Sequence, residues 1–226
     1  MIKAVVFDMF ETLVTLFEGK TYFSENIAAD VGADPDKFRK EWHAIEKARS
    51  TGKYSIEEGI ELVLKNLGLY TKENVDLVVS KRRECLTDTF LNIPDETFIM
   101  LNDLVAKGVK IGLITNTFSD ERNMIRNSEI FPYFDVALIS YEQGLLKPDL
   151  KIYSMMAEQL NVKPEECLYV GDGGSKELFA AREAGMHPVQ CTWFREKFFE
   201  PHVPSPVYDE FDQAAHQSEI VGFIKE

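Results

Sequence analysis

Four polar motifs stand at points of the chain where chemistry could be concentrated. Asp8, the pair Thr115-Asn116 and Asp172 each follow a short apolar run rich in β-branched residues, while Lys147 lies in a predicted loop. Taken singly, an aspartate at the end of a strand is more often a cap for the following turn than a functional residue. Because the carboxyl ends of parallel strands meet at one edge of a sheet, the four motifs together predict a metal and anion site.

A site of this composition could carry out hydrolysis through a covalent intermediate. The carboxylate of Asp8 could attack phosphorus or carbon, and water would then cleave the product. The ammonium group of Lys147 would favour the ionised form of Asp8. Together with Asp172, Asp8 could hold a hard cation such as magnesium, which would offset the repulsion between Asp8 and an incoming phosphate. Thr115 and Asn116 could donate hydrogen bonds to the other oxygens of the substrate.

The elements that must position these residues follow a strand-then-helix rhythm. One helix pattern runs from Pro94 to Gly108, and a second begins with Ser175 as its N-cap and ends at Gly185. The alternation of strands and helices predicts an α/β fold with a doubly wound parallel sheet. Runs that are apolar on successive residues predict five buried strands, at Ala4–Phe7, Lys110–Ile114, Val136–Ile139, Leu168–Val170 and Pro188–Cys191.

Residues 15–90 interrupt this rhythm with helix signals and without a convincing strand. Asp34 and Pro35 form an N-cap followed by the proline that is favoured in a first turn. Ser55 and Glu58 have the spacing of a capping box. We therefore predict a helical cap over residues 15–90, inserted into a core of residues 1–14 and 91–226. Since it starts just beyond Asp8, it is expected to act as a lid over the ligand-binding edge of the sheet.

The composition limits the classes of partner. There are 25 basic and 38 acidic side chains, a formal charge of −13, so nucleic acid or an anionic membrane would require a local basic patch that the sequence lacks. No apolar stretch approaches the ~20 residues that span a bilayer. Three scattered cysteines argue against a disulfide framework. We expect a cytoplasmic monomer or homodimer that acts on a small, anionic molecule.

The four motifs resemble those of the haloacid dehalogenase (HAD) superfamily, in order and over essentially the whole chain. The matching stretches are VVFDMFETL, GLITNT, LLKPDLKIY and YVGDGGSKELFAAREAGM. The resemblance implies a hydrolase with a Rossmann-like core and a helical cap of the C1 type. It also implies that Asp8 is the nucleophile and a magnesium ligand, with further ligands from the carbonyl oxygen of Phe10 and from Asp172. Thr115 would bind the substrate anion, and Lys147 would steady the charge.

The sequence departs from the pattern of the family phosphatases at Phe10, where these enzymes carry a second aspartate as general acid and base. Phenylalanine cannot transfer a proton, and we interpret the adjacent Glu11 as a solvated loop residue. An aromatic residue at this position resembles the 2-haloacid dehalogenase branch, in which carboxylate attack expels halide. Arg39 resembles the arginine of that branch that binds the substrate carboxylate, and Tyr153 also matches it.

The fourth motif favours the other branch, because dehalogenases have neutral residues where this chain has Asp172. Glu177 stands near the position at which many relatives have a further acid. The leading hypothesis is therefore a magnesium-dependent hydrolase of a small phosphorylated metabolite. A 2-haloacid dehalogenase-like hydrolase and a non-catalytic protein that binds a phosphorylated ligand are the alternatives.

Overall fold

The computed structural model describes residues 1–224, and a parallel sheet of six strands forms its centre. The strand order is β3-β2-β1-β4-β5-β6, so the predicted α/β fold with a doubly wound parallel sheet is confirmed. The strands are β1 (Ala4–Phe7), β2 (Lys110–Thr115), β3 (Val136–Ile139), β4 (Cys167–Gly171), β5 (His187–Cys191) and β6 (Asp212–Ala214). All five predicted strands are present. The sixth, β6, was missed because its three residues carry no apolar run.

Strand β1 lies at the centre of the sheet, between β2 and β4. Its four residues are fully buried, as expected for a parallel strand covered on both faces. Phe7 is in register with Leu113 of β2 and with Val170 of β4. Consequently Asp8, which follows Phe7, lies beside the end of β4, where Asp172 follows.

Five helices occupy most of the chain from Ser24 to Leu91, in the segment for which the sequence predicted helices. They are α1 (Ser24–Val31), α2 (Pro35–Ala44), α3 (Glu46–Ser50), α4 (Ile56–Asn66) and α5 (Lys72–Leu91). The side chain of Asp34 caps α2 by accepting a hydrogen bond from the N–H of Lys37 at 2.9 Å. Both hydrogen bonds of the capping box between Ser55 and Glu58 are formed at the start of α4. The predicted N-terminal signals of these two helices are thus confirmed.

The remaining helices surround the sheet. They are α6 (Asp95–Ala106), α7 (Ser119–Arg126), α8 (Ser140–Gln143), α9 (Leu150–Gln159) and α10 (Glu177–Glu183). Within residues 1–224, no helix combines the length and the apolar character that crossing a bilayer requires. The three cysteines are free thiols.

Apolar side chains form three buried clusters. One contains Phe7 and a second contains Val6, so the two faces of β1 contribute to different clusters. The third lies within α1, α2, α4 and α5, where Phe38, Ile60 and Val78 are members. The helices of the insertion therefore share a core of their own. The division into a cap of residues 15–90 and a surrounding core stays a prediction.

The insertion contacts the core through buried polar groups. The hydroxyl of Ser140 donates a hydrogen bond to the carbonyl of Ser50 at 2.8 Å. Arg82 of α5 forms an ion pair with Asp120 of α7 at 2.7 Å. These contacts hold the insertion against the edge of the sheet at which β2 ends.

Ser175 is not an N-cap, so this prediction was wrong. Helix α10 begins at Glu177, and Ser175 lies in a preceding 3-10 turn with φ of 51°. This turn brings the side chain of Glu177 against the end of β4. A Cβ atom at Gly171 would collide with the Glu177 carboxylate, so the close approach requires glycine at that position.

Candidate active site

Three carboxylates and one ammonium group converge where β1 and β4 end. Oxygen atoms of Asp8, Asp172 and Glu177 lie within 4.8 Å of one another. Nζ of Lys147 lies 2.6 Å from Oδ1 of Asp8 and 2.5 Å from Oε2 of Glu177. The structure thus brings together the three charged residues that the sequence placed at one edge, and it adds Glu177.

The two carboxylate oxygens of Asp8 have different surroundings. Oδ1 forms the ion pair with Lys147 and accepts a hydrogen bond from the N–H of Met9 at 2.7 Å. Within the described part of the chain, Oδ2 accepts none. One oxygen is therefore held in place, and the other is available to attack a substrate or to bind a cation.

Beneath Asp8, Lys147 belongs to a buried hydrogen-bond network around Glu177. The hydroxyl of Tyr169 donates to Oε2 of Glu177 at 2.7 Å, and the N–H of Gly173 donates to Oε1 at 3.1 Å. Glu177 is completely buried. Its oxygens accept from three donors, and one of these is the ammonium group of Lys147, which Glu177 thereby holds in place.

The pKa values reflect an excess of negative charge. Burial alone would lower the pKa of Lys147, but the charges of Asp8 and Glu177 outweigh it and raise that pKa. Burial raises the pKa of Glu177 to about 8, although the charge of Lys147 opposes the shift. Burial, and next the charge of Asp8, raise the pKa of Asp172. Three carboxylates thus share one ammonium group, and a further cation would complete the balance.

Asp172 is held by two donors. Its Oδ1 accepts from the N–H of Gly174 at 3.0 Å, and its Oδ2 accepts from the hydroxyl of Ser205 at 2.8 Å. No signal in the sequence indicated Ser205, which lies in an irregular segment after β5. The oxygens of Asp8 and Asp172 suit magnesium, which prefers a few carboxylates and keeps several waters.

Thr115 and Asn116 occupy different positions at the end of β2. The hydroxyl of Thr115 is buried and has no hydrogen-bond partner among residues 1–224, as expected of a donor that awaits a ligand. The side-chain amide of Asn116 instead pairs with the backbone of Lys147, accepting from its N–H at 2.8 Å and donating to its carbonyl at 3.1 Å. Asn116 therefore positions the loop that carries Lys147.

Comparison with known proteins decides the family. A model of the haloacid dehalogenase-like hydrolases matches residues 2–185. The chain belongs to this family. The resemblance noted from the four motifs is thereby confirmed, and so is the assignment as a hydrolase.

Two archaeal relatives are named glyceraldehyde 3-phosphate phosphatase. The protein from Methanocaldococcus jannaschii is 38% identical over 96 residues, which are 42% of this chain and 42% of that protein. The protein from Methanopyrus kandleri is 26% identical over 228 residues, which are 98% of this chain and 97% of that protein. The chain thus spans about two fifths of the first relative and nearly all of the second.

Solved structures with this fold come from both branches of the family. A 2-haloacid dehalogenase from Pseudomonas syringae has a TM-score of 0.67 at 21% identity, with 97% of this chain and 96% of that chain covered. A HAD family enzyme from Bacteroides thetaiotaomicron, in complex with magnesium and inorganic phosphate, has a TM-score of 0.60 at 17% identity, with 85% and 95% covered. These likenesses establish the fold, and the residues of the site must distinguish phosphatase from dehalogenase.

In this HAD hydrolase, Phe10 and Glu11 form the loop after Asp8. The ring of Phe10 packs edge-on against Phe90, with ring centroids 6.3 Å apart. The expectation that Glu11 is a solvated loop residue was wrong, because its carboxylate accepts from the hydroxyl of Thr15 at 2.6 Å and from the N–H of Leu16 at 2.9 Å. Burial raises the pKa of Glu11 to about 7.

The two residues that resembled the dehalogenase branch lie in different surroundings. Tyr153 is buried in the core, and its hydroxyl donates to the carbonyl of Glu177 at 3.2 Å. Arg39 lies on α2, where its side chain is 44% exposed and pairs with Asp36 at 3.6 Å. It lines a cavity of about 470 Å³ between the insertion and the core. Arg39 thus stands beside this cavity and is not part of the carboxylate cluster.

Proposed function

We propose that this protein is a magnesium-dependent phosphatase that hydrolyses a small phosphorylated metabolite. The main support is the convergence of the Asp8 and Asp172 carboxylates within 4.8 Å beside Lys147. A carbon–halogen hydrolase would gain nothing from a second acid here, since its carboxylate substrate would be repelled. A phosphatase would gain a cation site, because magnesium would neutralise charge on both the carboxylates and the phosphoryl group when bound.

The geometry around Asp8 suggests how the reaction would proceed. Oδ2 of Asp8 would attack phosphorus, forming an aspartyl phosphate while the bond from phosphorus to the leaving oxygen breaks. Water would then attack the same phosphorus and release inorganic phosphate and the Asp8 carboxylate. Lys147 would hold Oδ1 in place, and the unpaired hydroxyl of Thr115 would donate to a phosphoryl oxygen.

The substrate class follows from Phe10 and from the relatives. Because Phe10 cannot protonate the leaving oxygen, substrates with a good leaving group, such as acyl phosphates, should be hydrolysed fastest. The relatives named glyceraldehyde 3-phosphate phosphatase support a small phosphorylated metabolite. Residues 15–90 would act as a cap that excludes water from the cluster during turnover.

A 2-haloacid dehalogenase is the second candidate, and Phe10 is the observation that favours it. Phosphate release should be measured over a panel of phosphorylated metabolites, and chloride release over 2-chloroacids, each with magnesium and with a chelator. Magnesium-dependent phosphate release that is lost in Asp8→Asn is the expected result. Chloride release without magnesium, and no phosphate release, would replace the proposal by the second candidate. If neither product forms, binding of magnesium with beryllium fluoride at Asp8 would indicate a non-catalytic ligand-binding protein.

A further inference from the structure

The cavity of about 470 Å³ between the insertion and the core contains an unusual arginine. Arg49 lines it from α3, and this residue is only 3% exposed. Its guanidinium carbon lies 3.5 Å from the ring centre of Trp42 and 3.6 Å from that of Phe118. The guanidinium group is therefore wedged between a ring of the insertion and a ring of the core, and it can form hydrogen bonds only in its own plane.

Two of the three guanidinium nitrogen atoms lack partners. Nε and Nη1 of Arg49 are buried and form no hydrogen bond within residues 1–224. Arg82, which lines the same cavity, instead forms ion pairs with Asp120 and Glu121 at 2.7 and 3.1 Å. A buried charge without a partner is costly. The burial lowers the pKa of Arg49 to about 9, which leaves the group charged at neutral pH.

Two segments of the cavity wall start from the edge of the sheet that carries Asp8. Phe118, three positions beyond Thr115, forms part of its wall. Leu16 forms another part, and its N–H donates to Glu11 in the loop after Asp8. A small molecule with one end at Asp8 could therefore extend into the cavity.

The charge of the cavity wall selects for anions. Four of its lining side chains are permanently basic and two are acidic, although the whole chain carries a formal charge of −13. Three of the four basic groups have carboxylate partners at their ends: Lys20 with Glu84, Arg39 with Asp36, and Arg82 with Asp120. Arg49 is the exception among the described residues, so it is the group best suited to bind an external anion.

We propose that Arg49 binds a second anionic group of the substrate, a carboxylate or a phosphate that is remote from the phosphoryl group at Asp8. The substrate would then be a phosphorylated acid or a bisphosphate of small size. This inference rests on the proposed function for the phosphoryl end of the molecule. It also assigns anion recognition to Arg49 rather than to Arg39, which the resemblance to dehalogenases had indicated.

The test uses ligands that cannot be hydrolysed, so it does not depend on turnover. Phosphonoacetate, 3-phosphonopropionate, 4-phosphonobutyrate and 6-phosphonohexanoate are compared by calorimetry with alkylphosphonates of matching length, in the presence of magnesium. Alkane bisphosphonates of the same lengths are also measured. Comparing their affinities with those of the phosphonocarboxylates shows whether Arg49 prefers a phosphate-like group or a carboxylate. At one chain length or more, the wild-type protein should bind the doubly anionic ligand about 10- to 100-fold more tightly than its alkyl partner, the range expected for hydrogen bonds to a charged group.

The variants identify the residue responsible. Arg49→Met should bring the ratio of the two affinities to about one, and Arg49→Lys should reduce it, because a lysine lacks the planar donors. Lys47→Met, which removes an exposed charge from the same helix, should leave the ratio unchanged. Circular dichroism and a thermal melt establish that each variant is folded, and Arg49→Lys carries the test if Arg49→Met does not fold.

Three results would overturn the inference. They are a ratio near one at every chain length in the wild-type protein, a ratio that survives in folded Arg49 variants, and a ratio that is lost in Arg39→Met but kept in Arg49→Met. Failure of the proposed phosphatase activity would be recognised separately, since phosphate release is measured on the same wild-type preparation. The binding experiment can therefore support a second anion site even if no phosphate is released, and phosphate release can be found even if Arg49 binds no anion.

Discussion

Nζ of Lys147 lies 2.6 Å from Oδ1 of Asp8, with both groups largely buried. This short ion pair fixes one oxygen of the carboxylate and leaves the other for chemistry. It also makes the stability of the fold depend on the charges of the site, because a second carboxylate, Glu177, lies 2.5 Å from the same ammonium group.

Asp8→Asn should abolish phosphate release, because an amide of the same shape cannot form the aspartyl phosphate. We expect a fall of about 10⁴-fold or more, as for other residues that act together with their partners in one site. Steady-state phosphate release measures the loss, and mass spectrometry of rapidly quenched protein should find phosphorylated wild type only. Phosphorylation that persists in Asp8→Asn would place the nucleophile at another residue.

Lys147→Met should destabilise the fold as well as inactivate the protein. The variant leaves Asp8 and Glu177 buried without their counter-charge, and breaking a buried ion pair in this way costs about 3–5 kcal/mol. Adding Glu177→Gln removes a carboxyl group that, without Lys147, must either stay charged in the interior or take up a proton on folding. The double variant should therefore recover a substantial part of the free energy of unfolding and none of the activity. Urea denaturation measures the free energy of unfolding of both variants, and phosphate release measures their activity. Equal free energies of unfolding for Lys147→Met and the double variant would show that Lys147 does not neutralise Glu177 as the geometry indicates.

The sequence predicted the parts of the site that local patterns encode. Runs of apolar residues marked the strands, and the parallel register then required Asp8 and Asp172 to end side by side. Ser205 and Arg49 could not be found in this way. Ser205 lies in an irregular segment, and Arg49 stands in a charged stretch that is typical of a solvated helix face. Only tertiary packing brings the first to Asp172 and buries the second.

Asp172→Asn and Ser205→Ala should distinguish a residue that binds magnesium from one that only donates a hydrogen bond to a magnesium ligand. Asp172→Asn removes a charged oxygen ligand, so the magnesium concentration for half-maximal activity should rise by at least about tenfold, since one hydrogen bond or ligand contact to a charge is worth ~1.5–3 kcal/mol. Ser205→Ala removes only a donor to Oδ2 of Asp172 and should change this concentration little. A magnesium titration of activity measures both, and an unchanged response in Asp172→Asn would argue against the proposed ligand.

Glu11 should make the stability of the metal-free protein depend on pH. Burial raises its pKa from the ordinary value of 4.5 to about 7, so the folded state keeps a proton that the unfolded chain has lost between these values. The free energy of unfolding must then fall as pH rises through this window. Glu11→Gln, which has no such proton, should become more stable relative to the wild type from pH 4.5 to pH 7. Melts in the presence of a chelator measure the difference in Tm, and a difference that is constant with pH would contradict the prediction.

Phe10→Asp tests whether the missing general acid limits the enzyme. The new carboxyl group should restore proton transfer to the leaving oxygen, an effect typically worth ~10²–10⁴-fold. The gain should be large for alkyl phosphates, whose leaving groups are basic, and small for aryl and acyl phosphates. Rates over a series of leaving groups, at saturating magnesium, give the measurement.

Phe10→Asn is the matched control for this substitution. It removes the same ring from its contact with Phe90 and adds a polar group of the same size, but it has no proton to transfer at neutral pH. Any gain in Phe10→Asp that Phe10→Asn shares would therefore come from altered packing rather than acid catalysis. A carboxylate substrate of a dehalogenase would be repelled by the added charge, so chloride release, if present, should fall in Phe10→Asp. Equal and low phosphatase rates for the wild type and both folded variants, across all leaving groups, would exclude the missing acid as the limiting feature of the site.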